Sequence, residues 1–331
     1  MNARAIEILP GLLLLGAVAG LSRLIGGFVP LVSPLVIAIG LGALVGNTVG
    51  RPEWARAGLG THKLLLETAI VLLGVSFSLD AIVRAGPTLA GLVVGLVAFG
   101  LVLVEALSRL VGLDGRLGSL LAAGSSICGV SAIAAASPAC NAEDGEVAHA
   151  AATILLFDAV TIVAFPALGR ALNLDPRPFG IWAGLAMFST GPVAAAGFAY
   201  SAVAGRWATI TKLTRNALIG VVAGLFSLRY AVGRNGNGRG WSPRQIWADF
   251  PKFLVGFLAL AALSSAGAIP PAAKAPLATV SDGLFLVAFA GLGFDIRYER
   301  MRDAGLRPVA VVGITLLVVG TLAFGLVTWL F

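Results

Sequence analysis

The stretch that decides the fold is Gly124-Ser125-Ser126-Ile127-Cys128-Gly129-Val130-Ser131, followed by a run of small residues over 132–138. It lies between long apolar segments, yet it is rich in glycine and serine, which favour interruption of a helix. Non-helical backbone at membrane depth persists only where protein, a wet cavity or a ligand meets its polar groups. The stretch therefore predicts a broken membrane helix that forms half of a substrate site.

The composition of the chain indicates a polytopic membrane protein. Residues of the set AVILMFWYC make up 58% of the 331 residues and charged residues 12%, whereas soluble proteins have about 45–50% apolar and about 25% charged residues. The net charge of +7 is spread over short connecting segments, so no nucleic-acid partner is expected. The two cysteines and two histidines form no metal-ligand pattern, so neither a metal nor another cofactor is expected.

Apolar runs of roughly 17–25 residues predict about eleven transmembrane helices in the lipid bilayer. They lie near 8–25, 33–50, 64–80, 87–112, 117–136, 148–169, 178–201, 208–230, 249–267, 276–294 and 307–330. The connections are short, the longest being 231–248, so residues 1–331 are predicted to form a single all-α membrane domain. The first run resembles a signal peptide, but we interpret it as a retained spanning helix.

Lys and Arg accumulate in alternate connections, which sets the expected orientation. If the N-terminus is cytoplasmic, most of the 23 Lys and Arg residues fall on the cytoplasmic side. We therefore expect a cytoplasmic N-terminus and a C-terminus on the opposite, periplasmic side.

Two similar segments predict an internal repeat. The segment 72–80 is echoed by 290–295, and the two spans would have opposite orientations. This pattern predicts inverted repeats over about 33–169 and about 178–330, after an extra N-terminal helix at about 8–25. Such repeats place substrate sites on discontinuous helices near the bilayer midplane. The second break remains open between 189–192 and 281–293, since both contain glycine and polar residues.

Ionisable residues within the spans are candidates for function, because each costs roughly 2.5–3.5 kcal/mol near a helix centre. Asp158 and Glu67 are predicted to bind a coupling proton or sodium ion; the alternatives are a structural partner role for Asp158 and an interfacial position for Glu67. Lys212 and Arg215 share one helix face and could hold an oxyanion. Their alternative role is an ion pair with Asp158 or Glu67.

Uncharged polar residues at the breaks complete the predicted anion site with hydroxyls and backbone N–H groups. The segment 189–192 interrupts its span in the same way as 124–131. The alternative is a helix interface of small residues. The predicted substrate-binding residues are Ser125, Ser126, Cys128, Gly129, Ser131, Ser189, Thr190, Gly191, Lys212 and Arg215.

At these residues the chain resembles the YeiH-like sulfate exporter family of bacterial inner-membrane proteins. The resemblance rests on the residues of 125–133, 179–184 and 212–216 and extends over nearly the whole chain. It implies membership of the wider group of cation:proton antiporters and bile-acid symporters, with two inverted five-helix repeats and crossed broken helices. It also implies a homodimer that moves its substrate by an elevator-type motion.

Two functions remain open at this point. The leading hypothesis is a secondary active transporter of a small anion, with sulfate or sulfite suggested by the family resemblance. The alternative is a cation/proton antiporter that uses Asp158. The sequence contains no GxSxG, HExxH or Walker motif, so we do not expect an enzyme.

Overall fold

The computed structural model describes residues 3–28, 34–76, 79–232, 252–298 and 305–331. Within these ranges the chain is mostly helical and contains no strand. The expected all-α polytopic membrane fold is therefore confirmed. Most of the predicted connection 231–248 lies outside the described residues.

The helices of the described ranges are named here in chain order. They are α1 (Ala3–Phe28), α2 (Pro34–Thr48), α3 (Arg56–Leu59), α4 (His62–Leu73), α5 (Leu79–Leu110), α6 (Gly115–Ala123), α7 (Val130–Cys140), α8 (Asp144–Ala171), α9 (Pro176–Ala186), α10 (Thr190–Tyr200), α11 (Ala202–Asn216), α12 (Ile219–Val232), α13 (Lys252–Ser265), α14 (Pro271–Asp295) and α15 (Leu306–Leu330).

Six helical segments of the described ranges are long and apolar enough to cross a membrane. They are Glu7–Phe28, Glu53–Ser76, Gly86–Leu110, Gly145–Ala171, Pro271–Asp295 and Leu306–Leu330. Shorter apolar helices occur at Pro34–Thr48, Val130–Cys140 and Val255–Ser265. The multi-pass character is thus confirmed, whereas the total of eleven spans and the orientation of the termini stay predictions.

The chain divides into two compact units, each assembled from separate segments. The first unit comprises Met1–Pro87 and Lys252–Tyr298, and the second comprises Thr88–Pro251 and Glu299–Phe331. The predicted repeat boundaries, about 33–169 and about 178–330, stay a prediction.

Glycines bring the helices of the first unit into backbone contact. A Cβ added at Gly42 of α2 would collide with the carbonyl oxygen of Ala290 in α14, and one at Gly293 would collide with α2. Gly11 of α1 and Gly58 of α3 face each other in the same way. Lipid tails are as apolar as the helices, so close backbone approach of this kind is what holds membrane helices together.

Helix α14 is continuous from Pro271 to Asp295, so the segment 281–293 supplies no helix break. Two of its glycines, Gly291 and Gly293, lie in close helix contacts instead. The helix ends in a polar cluster, where Asp295 forms an ion pair with Arg51 and lies 3.1 Å from His62 Nε2.

The second unit is organised around α11, which lies against both α9 and α10. Three glycines permit this approach, because a side chain at any of them would meet α11. A Cβ added to Gly180 would collide with the α11 backbone. A Cβ added to Gly184 would lie 2.6 Å from Thr211 Cβ, and one added to Gly197 would lie 2.8 Å from Gly205 Cα. This packing brings the side chains of α11 within reach of the backbone at the end of α9.

The substitution Gly42→Ala should lower the melting temperature, because its Cβ would force α2 and α14 apart; overpacking of this kind costs typically about 1–3 kcal/mol. Gly40→Ala is the matched control on the same helix, since a Cβ there meets no atom within 4 Å. Thermal unfolding of both purified variants in one detergent tests this. Equal melting temperatures would contradict the described contact.

Candidate functional site

The first helix break lies between α6 and α7, where it was predicted. Gly124–Cys128 form one widened helical turn, closed by a 2.8 Å hydrogen bond from Gly129 N to Gly124 O. Gly129 then adopts φ 65° and ψ −133°, a conformation that in practice only glycine takes. A Cβ there would also collide with Ser189 Oγ. The predicted break is therefore confirmed, and residues 124–129 are all buried.

The second break lies between α9 and α10, at the serine-threonine-glycine-proline segment. Met187 and Ser189 are extended, with ψ of 157° and 149°, and α10 begins at Thr190. Pro192 favours a break at this position. Proline lacks the N–H and clashes with the preceding turn, which disfavours continuation of α9, and it fits the first turn of a new helix. Proline alone does not force a break, since Pro166 lies inside the continuous helix α8.

The two cations on α11 bind backbone carbonyl groups of both breaks. Lys212 and Arg215 are 0% and 2% exposed. Lys212 Nζ donates to the carbonyl oxygens of Ile127 at 2.6 Å and Met187 at 3.1 Å. One ammonium group therefore joins the end of the first break to the start of the second.

The Arg215 guanidinium repeats this pattern with more bonds. Its Nε donates to Ser126 O at 3.1 Å and its Nη2 to Ser125 O at 3.0 Å. Its Nη1 lies within hydrogen-bonding distance of the carbonyl oxygens of Gly184, Leu185 and Met187, at 3.2, 2.6 and 2.9 Å. Among the described residues, Nη2 donates to one carbonyl oxygen, that of Ser125.

These bonds satisfy the C-terminal ends of two interrupted helices. The last carbonyls of a helix have no partner within it and carry partial negative charge. At both breaks the cations supply the missing donors. The alternative prediction for the two cations was an ion pair with Asp158 or Glu67. Among the described residues, neither cation forms such a pair.

The N-terminal ends of α7 and α10 lie next to each other, because Gly129 packs on Ser189. First-turn N–H groups have no acceptor in their own helix and carry partial positive charge. Ser131, in the first turn of α7, is exposed, and Thr190 is half-buried. The breaks thus present their N–H ends and keep their carbonyl ends occupied.

Asp158 of α8 lies at the N-terminus of α10. Its Oδ1 accepts a 3.1 Å hydrogen bond from Ser189 N. Its Oδ2 has no hydrogen-bond partner among the described residues, although Asp158 is only 4% exposed, and the Ser189 hydroxyl interacts with the same carboxylate. Asp158 also interacts electrostatically with Lys212. A buried carboxylate with one open oxygen can accept a proton or ligate a cation.

Asn216 is a member of this cluster that sequence reasoning did not select. Its Nδ2 donates to Thr190 Oγ1 at 2.9 Å, and its Oδ1 has no partner among the described residues. It directly follows Arg215, so its position in the polar end of α11 was the available signal. Gly191 is buried in the same first turn of α10.

Two predicted residues have other surroundings. Glu67 is exposed on α4 in the first unit, one turn after Lys63, and its coupling role stays a prediction. Cys128 is buried in the widened turn. Within the described ranges, no group of three His, Cys, Asp or Glu residues could hold a metal ion.

A small cavity lies beside the first break. Its lining includes Ser126, Arg215, Gly100 and Phe188, and its volume is about 10 Å³. One water needs about 10–15 Å³, so this cavity admits a water and not a tetrahedral oxyanion.

A family model described as "Conserved hypothetical protein 698" matches residues 10–312, a range that includes both breaks and both cations. The chain belongs to this family. Eight similar relatives each bear the name UPF0324 membrane protein, and no solved structure matches the chain.

Three of these relatives illustrate the extent of the match. UPF0324 membrane protein Atu0671 of Agrobacterium fabrum is 36% identical over 97% of this chain and 92% of its own length. The relative from Nitratidesulfovibrio vulgaris is 34% identical over 92% and 88%, and that from Clostridium tetani is 33% identical over 93% and 94%. The similarity therefore covers nearly the whole chain.

The substitution Arg215→Gln should destabilise the fold by at least about 1.5–3 kcal/mol, the value of one charge-assisted hydrogen bond. From the sequence alone, this substitution is predicted to weaken anion binding and to leave the protein folded. The hydrogen bonds from Arg215 to backbone carbonyls predict that it also lowers the stability of the fold. Arg206→Gln, at a partly exposed position of the same helix, is the control and should change little. Thermal unfolding measures both, and equal melting temperatures would show that the Arg215 contacts do not stabilise the breaks.

Proposed function

We propose that the chain is a secondary active transporter of a small anion, and that sulfate or sulfite is its substrate. One observation carries the proposal: Lys212 and Arg215 occupy the carbonyl ends of both helix breaks, whereas the acceptor described at the adjoining N-terminal ends of α7 and α10 is Asp158 Oδ1, on Ser189 N. Helix N-termini bind anions through their N–H groups and their partial positive charge. The hydroxyls of Ser131, Ser189 and Thr190 add donors at the same place.

The charge of the buried cluster also favours an anion. Two bases, Lys212 and Arg215, and one acid, Asp158, are each less than 5% exposed in the second unit. When all three are ionised, one positive charge is left over. A buried charge needs a partner of opposite sign, and a bound oxyanion would provide it.

The proposal places this transporter in a bacterial inner membrane, with a cytoplasmic N-terminus and a periplasmic C-terminus. The resemblance to YeiH-like exporters adds inverted repeats, a homodimer and an elevator-type motion. In this proposal the helix breaks bind the substrate, and no covalent chemistry takes place.

A cation/proton antiporter is the second candidate, and Asp158 is the observation that favours it. The open Oδ2 of this buried carboxylate is a suitable proton or sodium acceptor. Against this candidate, the carbonyl oxygens that would complete a cation site are already bound by Lys212 and Arg215.

Sulfate or sulfite should raise the melting temperature of the purified protein, because a ligand that binds only the folded state stabilises it. Ser131→Ala and Thr190→Val should each weaken this binding roughly two- to tenfold, since a neutral hydrogen bond is worth about 0.5–1.5 kcal/mol. Thr214→Val is the matched control, because its hydroxyl bonds to Ile210 O on α11.

Uptake of labelled sulfate by proteoliposomes then tests transport. If no small oxyanion stabilises the protein or enters the vesicles, the anion proposal fails. If Ser131→Ala and Thr190→Val bind sulfate as tightly as the control Thr214→Val, the anion binds elsewhere.

Asp158→Asn should bind sulfate at least as tightly as the wild type, because it removes a negative charge beside the proposed site. It should also lose any sodium or proton dependence that the wild type shows. Binding titrations and proteoliposome flux at several pH values, with and without sodium, measure this. The cation/proton antiporter would be favoured if Asp158→Asn abolished transport while Lys212→Gln and Arg215→Gln still transported.

A further inference from the structure

The surroundings of Lys212 Nζ are those of a small cation. Its hydrogen-bond partners are two backbone carbonyl oxygens, of Ile127 at 2.6 Å and Met187 at 3.1 Å, from the ends of two different helices. The Asp158 carboxylate interacts with it electrostatically, while Arg215 contributes the opposing positive charge. Unwound carbonyls and half-helix C-termini are the groups that coordinate free cations in transporters with broken helices.

The side chain reaches this position from a rigid support. Lys212 lies one turn before the C-terminal end of α11 and is fully buried, and the glycines of α9 and α10 allow α11 to lie close to the breaks. A tethered ammonium loses little freedom on binding and cannot diffuse away. It therefore neutralises the carbonyls permanently, where a free ion would do so only while bound.

We infer that the Lys212 ammonium group occupies a monovalent-cation site built from the two helix breaks, and that it replaces a dissociable cation there. The inference concerns this cation site alone and holds whatever substrate the chain carries. It has a consequence for coupling: the carbonyl ends need no sodium ion to stay joined.

Removing the side chain should leave a vacant site that takes a free cation. The Lys212→Ala variant of the full-length protein should have a lower melting temperature than the wild type. Methylammonium, ammonium or sodium chloride should raise that temperature progressively with concentration. Tetramethylammonium chloride, matched in ionic strength and chloride, should not, because it is too large and has no N–H.

Two further variants separate this effect from a general salt effect. Lys212→Met loses the charge but fills the space with a side chain of similar length, so it should show no cation response. Lys274→Ala removes a lysine of the first unit whose Nζ donates to the Ser264 carbonyl at 3.2 Å in a half-buried position. It should behave like the wild type in every salt.

The inference is overturned if Lys212→Ala ignores all the small cations, or if Lys212→Met responds as strongly as Lys212→Ala. Should Lys212→Ala fail to fold in plain buffer, it is purified throughout in methylammonium or in tetramethylammonium. Recovery of folded protein only in methylammonium supports the inference, and recovery in neither or equally in both overturns it. Failure of the anion proposal would instead appear as a wild type that no oxyanion stabilises.

Discussion

The hydrogen bonds from Lys212 and Arg215 to backbone carbonyls are the interaction on which the second unit depends. An unsatisfied backbone group in a membrane costs several kcal/mol, and the two breaks would leave many. Two side chains from one helix satisfy six carbonyl groups, those of Ser125, Ser126, Ile127, Gly184, Leu185 and Met187. These hydrogen bonds require the glycine-lined faces of α9 and α10, because the glycines let α11 approach closely enough for its side chains to reach the carbonyl groups.

The sequence was sufficient to predict the membrane class and the first break. Glycine and serine at 124–131 gave a physical reason for interruption, and Gly129 now accounts for it through its positive φ. The pairing of Lys212 with Arg215 on one helix face followed from their spacing. The importance of these residues was therefore visible in advance, although their partners were not.

The partners could not be read from the sequence because they are main-chain carbonyls, which every residue carries. The second break was also ambiguous, since glycines mark both breaks and close helix contacts. The segment 189–192 contains Pro192 and begins a new helix. The segment 281–293 lies in the unbroken α14, where Gly291 and Gly293 pack against neighbouring helices. Glu67 was predicted near a span end and Asp158 deep within a span, and of the two only Asp158 is buried beside a break. Burial on a particular side of a helix depends on tertiary packing.

The discontinuous first unit has a consequence for biogenesis. Helix α2 contacts α14 through its glycine-lined face, yet α14 is synthesised only after the whole chain segment Thr88–Pro251. At about 5–20 residues per second, that segment of roughly 160 residues takes about 8–30 s to translate. During this interval the nascent helix α2 resides in the bilayer without α14 against its glycine face. Insertion machinery or lipid must shield that face until the ribosome has delivered α14.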